Sequence, residues 1–173
     1  MLQTCHFAGN ENCAVILGDN VFEDDLSDEI NSFNNKNGAH IFLKEIDDPQ
    51  RFGVAELEGD RVVSIEEKPK TPKSNLAVTG CYLFDPEVFQ LIAGLTPSNR
   101  GEYEITDVNN AYIEKGKLTA TILKKRWTDA GTYESLFRAN EIARDFYIKE
   151  HYPPRKQKQL KKKPAGKINV PVT

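Results

Sequence analysis

Ala14-Val15-Ile16-Leu17-Gly18-Asp19-Asn20 is the stretch on which the reading of this chain turns: an apolar run suited to a strand closes on a glycine and sets a carboxylate at the strand's C-terminal end. In an open α/β sheet, ligands sit outside the carboxyl ends of the strands. A second acid, Asp129 in Trp127-Thr128-Asp129-Ala130-Gly131-Thr132, follows 110 residues later in a matching setting, after an apolar run and before a helix. Two such acids could share one hard metal ion. The same residues also suit blander roles, with Asp19-Asn20 capping the turn or helix that follows and Asp129 standing as a turn residue before a Thr132 cap.

Outward from this stretch, strands and helices alternate. Leu26, Ile30 and Phe33 recur at helical spacing after a run of acids, and Asn37-Gly38 supplies a stop, so the pattern predicts an amphipathic helix over 25–37. Ala39 to Glu45 reads as the next strand, broken by Asp47-Asp48-Pro49. Two β-branched runs, 53–57 and 61–66, flank the turn Glu58-Gly59-Asp60 and predict a β-hairpin that delivers Glu66-Glu67-Lys68-Pro69 to its far end. A buried strand over 77–84 ends at Asp85-Pro86, and helices are expected over 86–94 and 104–115. A strand at 118–124 and a helix at 132–149 complete the series, with Leu136, Phe137, Ala139, Ile142, Ala143 and Phe146 marking the helix's expected buried face. The fold class is α/β: a mixed, mainly parallel sheet with flanking helices and an inserted hairpin.

A length of 173 residues, with 39% hydrophobic and 28% charged, allows one domain with its own hydrophobic core. No apolar stretch approaches the roughly 20 residues that span a bilayer, and the N-terminus lacks a basic region followed by an apolar core, so the expectation is a cytoplasmic protein without a membrane partner. Cys5, Cys13 and Cys81 have neither disulfide-framework nor zinc spacing, and His6, His40 and His151 are scattered. Chemistry here falls to carboxylates and lysines. Residues 151–173 carry seven Lys/Arg and no acids, which leaves −10 on residues 1–150 against −3 for the whole chain. The body is therefore unsuited to nucleic acid, and 151–173 reads as a basic, disordered tail appended to a domain over 1–150.

Six segments taken in order carry a resemblance. Leu17-Gly18-Asp19-Asn20, Arg51-Phe52-Gly53-Val54, Glu66-Glu67-Lys68-Pro69, Val78-Thr79-Gly80-Cys81-Tyr82, the run from Arg100 to Asn109, and Trp127-Thr128-Asp129-Ala130-Gly131-Thr132 resemble the glucose-1-phosphate thymidylyltransferase family of sugar nucleotidyltransferases over about residues 8–147. The resemblance implies a Rossmann-like nucleotidyltransferase fold. It also implies a reaction in which a sugar 1-phosphate oxygen attacks the α-phosphorus of a nucleoside triphosphate, giving a nucleotide sugar and pyrophosphate. By position, Asp19 and Asp129 correspond to magnesium ligands, and Gly53 to backbone that meets the sugar. Glu67 and Lys68 correspond to the pair holding sugar hydroxyls and phosphate, and Val78, Gly80 and Tyr82 complete the sugar pocket. Charge neutralisation and alignment are what such a transfer demands. Ala130 stands where many members carry threonine.

The family opens with a strand and a loop of the form Gly-Gly-x-Gly-Thr-Arg-Leu, followed by a lysine in a Pro-rich stretch. No such pattern occurs in these residues, and Phe7-Ala8-Gly9-Asn10 already resembles the segment just before the Leu-Gly-Asp-Asn strand. The expectation is thus a partial domain that keeps the sugar-phosphate and metal half of the site. No catalytic residue is assigned, because the expected arginine and lysine belong to that opening segment. Nucleoside triphosphate would be a partner only with the segment supplied, and the chain alone is expected to be inactive. Apolar edges left open by the absent strands are expected to favour aggregation, homo-oligomerisation or a complementary N-terminal fragment. The competing reading is a non-catalytic sugar-phosphate-binding or regulatory partner of a nucleotidyltransferase.

Overall fold

The computed structural model describes residues 8–151 apart from Asn35 and Asn99; Cys5, His6 and the basic tail beyond His151 lie outside the described residues. The elements run β1 (Cys13–Ile16), β2 (Asn20–Phe22), α1 (Ser27–Phe33), β3 (Ala39–Glu45), β4 (Gly53–Glu58), β5 (Arg61–Glu67), β6 (Leu76–Phe84), α2 (Glu87–Ala93), α3 (Ile105–Glu114), β7 (Leu118–Ile122), β8 (Trp127–Asp129) and α4 (Tyr133–His151). Among the described residues no helix is long and apolar enough to cross a membrane.

β6 organises the sheet. Five strands follow the order β5-β4-β6-β3-β7, and β1 pairs with the C-terminal half of β6 from Ile16↔Cys81 to Cys13↔Phe84. All nine residues of β6 are buried because it has neighbours on both edges and helices on both faces. On one face Val78, Tyr82 and Phe84 join Ile41, Ile65, Val88 of α2, and Val108 and Tyr112 of α3. On the other, Cys81 and Leu83 join Phe42, Leu123 and Phe33 of α1. Full burial of each large apolar side chain is worth about 1.5–3 kcal/mol, so this strand anchors the domain.

The sheet is mixed, as expected, but the expected predominance of parallel pairing is corrected. Among the described ladders only β3–β7 is parallel; β1–β6, β3–β6, β4–β5, β4–β6 and β2–β8 are antiparallel. β1 and β3 do share a direction, as a strand-helix-strand unit requires, but β6 is inserted between them and turns one parallel neighbour pair into two antiparallel ladders.

Asp85 closes the end of β6. Its carboxylate accepts hydrogen bonds from the Gly38 amide at 2.5 Å, the Tyr112 hydroxyl at 2.7 Å and the Glu87 amide at 3.1 Å. One 4%-exposed side chain thus joins the start of β3, the first turn of α2 and the core of α3.

Two helices differ from the sequence pattern. α1 is shorter than 25–37, starting at Ser27, whose amide and hydroxyl both donate to Asp25, and ending at Phe33. In α4 the Thr132 hydroxyl accepts the Ser135 amide and the Ser135 hydroxyl accepts the Thr132 amide, a reciprocal cap. The buried stripe of α4 is Ser135, Ala139 and Ile142, whereas Leu136, Phe137, Ala143 and Phe146 are exposed. The expected face is therefore corrected: α4 rests on the two-stranded β2–β8 ribbon, which is too narrow to cover a wide apolar face.

Ion pairs hold α4 to that ribbon. Arg126 donates to Glu23 at 2.8 Å and to Asp145 of α4 at 2.9 Å, and Lys149 of α4 reaches Glu23 at 3.2 Å. Hydrogen bonds from Arg126 and then Lys149 hold the Glu23 carboxyl at about 2, against an ordinary value of 4.5. A lowered carboxyl value stabilises the fold above the unfolded value and loses that contribution as pH falls from about 4.5 toward about 2. Thermal melts at pH 7 and pH 3 should therefore show a smaller acid-induced drop in Tm for Glu23→Gln than for the unaltered chain. Equal drops would remove this pair from acid unfolding.

Candidate functional site

The β2–β8 ladder brings the two acids of the opening motifs together. Asn20 pairs with Asp129 across the ladder, and the Ala130 amide donates to the Asp19 carbonyl at 2.7 Å. Both carboxylates turn toward the α-carbon of Gly131. A methyl group there would lie 3.1 Å from Asp129 Oδ2 and 3.8 Å from Asp19 Oδ2, so a glycine keeps the space between the two oxygens open.

That space suits a hard divalent cation. Its donors are carboxylate oxygens, and a cation already stands at its rim: Arg51 Nη2 lies 3.3 Å from Asp129 Oδ2 while Nη1 holds Asp48 at 3.0 Å. Among the described residues no group of three or more His, Cys, Asp or Glu could hold a metal. Two carboxylates nonetheless suffice for magnesium, which keeps several waters and completes its shell with substrate phosphates.

Asn20 ties this corner to the rest of the cleft. Its Oδ1 accepts from the Gly80 amide at 2.9 Å and the Trp127 indole at 2.7 Å, and its Nδ2 donates to Asp19 Oδ1 at 2.8 Å. The fit against β6 is so close that any side chain at position 80 would overlap the Asn20 amide. Trp127 also meets the edge of Phe52, ring centroids 5.2 Å apart, and the Arg51 guanidinium lies 5.1 Å over Phe52.

The opposite wall carries the hairpin end. β5 finishes at Glu67, and Lys68 adopts φ 45°, a left-handed turn uncommon for a side-chain-bearing residue, while its amide donates to the Phe52 carbonyl at 3.0 Å. Glu67 Oε1 lies 3.7 Å from Arg100 Nη1 and 4.0 Å from Lys68 Nζ, and Oε2 accepts from the Thr106 hydroxyl at 2.5 Å. Arg100 is itself braced by Glu102 at 3.0 Å and Glu104 at 3.3 Å. Burial first, and the Glu67 charge second, push the Tyr82 phenol above its usual value.

All eight residues singled out from the sequence, Asp19, Gly53, Glu67, Lys68, Val78, Gly80, Tyr82 and Asp129, line one cavity of about 290 Å³. Asn20, Arg51, Thr106 and Trp127 line it too, each within one of the six motif segments but without a site role that the motifs alone imply. Arg100, beside Glu67, lies within the longer run from Arg100 to Asn109. What marks these residues is contact across the fold, for which a single sequence has no signal. An apolar cavity of about 250 Å³ adjoins, sharing Leu17, Tyr82 and Ile105.

The described residues thus form a mixed α/β sheet that carries a polar cleft, with two carboxylates at one end and a carboxylate flanked by two cations at the other. The family model described as nucleotidyl transferase matches residues 1–145, and the chain belongs to that family. It is 40% identical over 146 residues to the glucose-1-phosphate thymidylyltransferase of Mycolicibacterium smegmatis, which covers 82% of this chain and 51% of the relative. It is 44% identical over 138 residues to the enzyme of the same name from Neisseria meningitidis, covering 77% of this chain and 48% of the relative. Among solved structures, a Bacillus anthracis protein assigned as a glucose-1-phosphate thymidylyltransferase, in complex with a sucrose, superposes with a TM-score of 0.78 at 52% identity, over 83% of this chain and 59% of that one. Apo UDP-glucose pyrophosphorylase superposes with a TM-score of 0.70 at 25% identity, over 86% of this chain and 59% of that one. The chain thus spans about half the length of the curated relatives it matches.

Proposed function

We propose that these residues form the sugar 1-phosphate and magnesium side of a glucose-1-phosphate thymidylyltransferase. In that reaction an oxygen of glucose 1-phosphate forms a bond to the α-phosphorus of dTTP, the bond to the β-phosphate's bridging oxygen breaks, and pyrophosphate leaves. The observation that carries this reading is the single cleft in which Glu67 is flanked by Lys68 and Arg100 while Asp19 and Asp129 face Gly131 on the other wall.

The Glu67 carboxylate offers acceptor oxygens suited to sugar hydroxyls, and Lys68 and Arg100 supply the positive charge for the 1-phosphate. Gly53, Val78, Gly80 and Tyr82 shape the wall against which the sugar ring lies. Asp19 and Asp129 would hold magnesium, whose chemistry is to neutralise and align phosphate oxygens. Arg51 keeps the Asp129 carboxylate partnered until that ion binds. We place this work in the cytoplasm, where nucleoside triphosphates are available.

The experiment is calorimetric titration of the chain with glucose 1-phosphate in the presence of magnesium. Measurable binding is expected, and Lys68→Ala should weaken it about 10- to 100-fold, the value of one charge-assisted hydrogen bond. An unaltered chain that takes up no glucose 1-phosphate would refute the reading.

A further inference from the structure

Glu67 does not hold its position by itself. It ends an edge strand and precedes a residue in the left-handed region, and the contacts that hold its carboxylate come from outside β5. The restraint comes from α3. At one point Asn110 acts as a substitute strand: its Oδ1 accepts the Ile65 amide at 3.1 Å and its Nδ2 donates to the Ile65 carbonyl at 2.9 Å. One helical turn earlier, the Thr106 hydroxyl donates to Glu67 Oε2 at 2.5 Å. The spacings match: four helical residues rise about 6 Å and two strand residues about 6.7 Å, so side chains four apart on α3 meet residues two apart on β5.

Thr106 is 4% exposed, and Gly53 leaves it room, since a methyl group there would lie 3.1 Å from the Thr106 hydroxyl and 3.4 Å from Glu67 Oε2. With Oε2 engaged, Oε1 is the oxygen turned toward Arg100 and Lys68.

We propose that Thr106 is the positioning residue of the sugar subsite: its hydroxyl fixes the Glu67 carboxylate in the one orientation that presents Oε1 to the sugar hydroxyls beside the phosphate-binding cations. Thr106 lines the same cleft, and the role assigned to it is exerted through Glu67. The inference rests on the proposed function above, and it assigns to the start of α3 a part in substrate selection.

The test is calorimetric titration of the chain with glucose 1-phosphate for T106V, T106S, E67Q and T106V/E67Q. Valine keeps the shape of threonine and removes the donor, so T106V should bind about 10-fold more weakly, and T106S, which restores the hydroxyl, should return to within about 3-fold of the unaltered chain. In the E67Q background T106V should add little, because the pair acts as a unit. Unchanged binding by T106V, failure of T106S to recover, or full additivity with E67Q would each overturn the assignment while leaving the proposed function standing. Absence of binding by the unaltered chain would remove both.

Discussion

Asp85→Ala is expected to destabilise the fold by about 3–5 kcal/mol, because it removes one buried acceptor and strands several donors at once. The Tyr112 hydroxyl is in a fully buried residue and the Gly38 amide is buried beside β6, so neither can turn to water when the carboxylate is gone. The Glu87 amide, in the first turn of α2, loses its cap as well. Asp85→Asn separates charge from geometry. Its single carbonyl oxygen can keep one or two of these donors, but its NH2 group then faces a remaining N–H, so a cost of about 1–3 kcal/mol is expected even though size is conserved. Urea unfolding reads both values. A loss below about 1 kcal/mol for alanine would show that water replaces the carboxylate.

Gly80→Ala is expected to act at a distance of one residue, on Asp19. The new methyl group occupies the position of the Asn20 amide, which has little freedom to retreat because it is a short side chain bonded to Gly80, Trp127 and Asp19. Displacing Asn20 frees the Asp19 carboxylate to rotate away from Gly131. Disturbing a group that orients a metal ligand costs about 10- to 100-fold in metal affinity, and that range is expected for Mn2+, used as a paramagnetic stand-in for magnesium and followed by electron resonance. Trp127 fluorescence should change as well, since its indole loses the Asn20 acceptor. Gly18→Ala is the control: no atom lies within 4 Å of a methyl group there, so affinity should be unaltered. Equal affinities for Gly80→Ala and the unaltered chain would show that Asn20 does not hold Asp19.

These two substitutions also show how far the chain could be read without its structure. Asp85 before a proline at a helix start is legible as a cap, since Asp and Pro favour those positions for local reasons. Its larger role, joining β3 and α3, depends on residues 47 and 27 positions away. Gly80 is legible as a ligand-facing glycine by resemblance. In the structure, what requires it to be glycine is a protein side chain, Asn20, 60 residues earlier. Likewise Glu67 and Lys68 stand out as a motif, but Thr106 and Arg100, which hold Glu67, come from a helix and a loop later in the chain than β6.

The sequence by itself determined the local elements: the strand over 39–45, the hairpin around Glu58-Gly59-Asp60, the mostly apolar strand before Asp85 and the Thr132 cap all follow from side-chain period and backbone preference within a few residues. Through ordered motifs it also marked the eight residues that share one cavity. Tertiary structure decided the rest. It placed β6 between β1 and β3, so that pairing became chiefly antiparallel, and it settled which narrow stripe of α4 is buried. It also turned Asp19 and Asp129 toward the same space. The physical reason is that strand order, helix facing and carboxylate orientation are set by packing and hydrogen bonds between residues far apart in the chain, which short-range spacing does not encode.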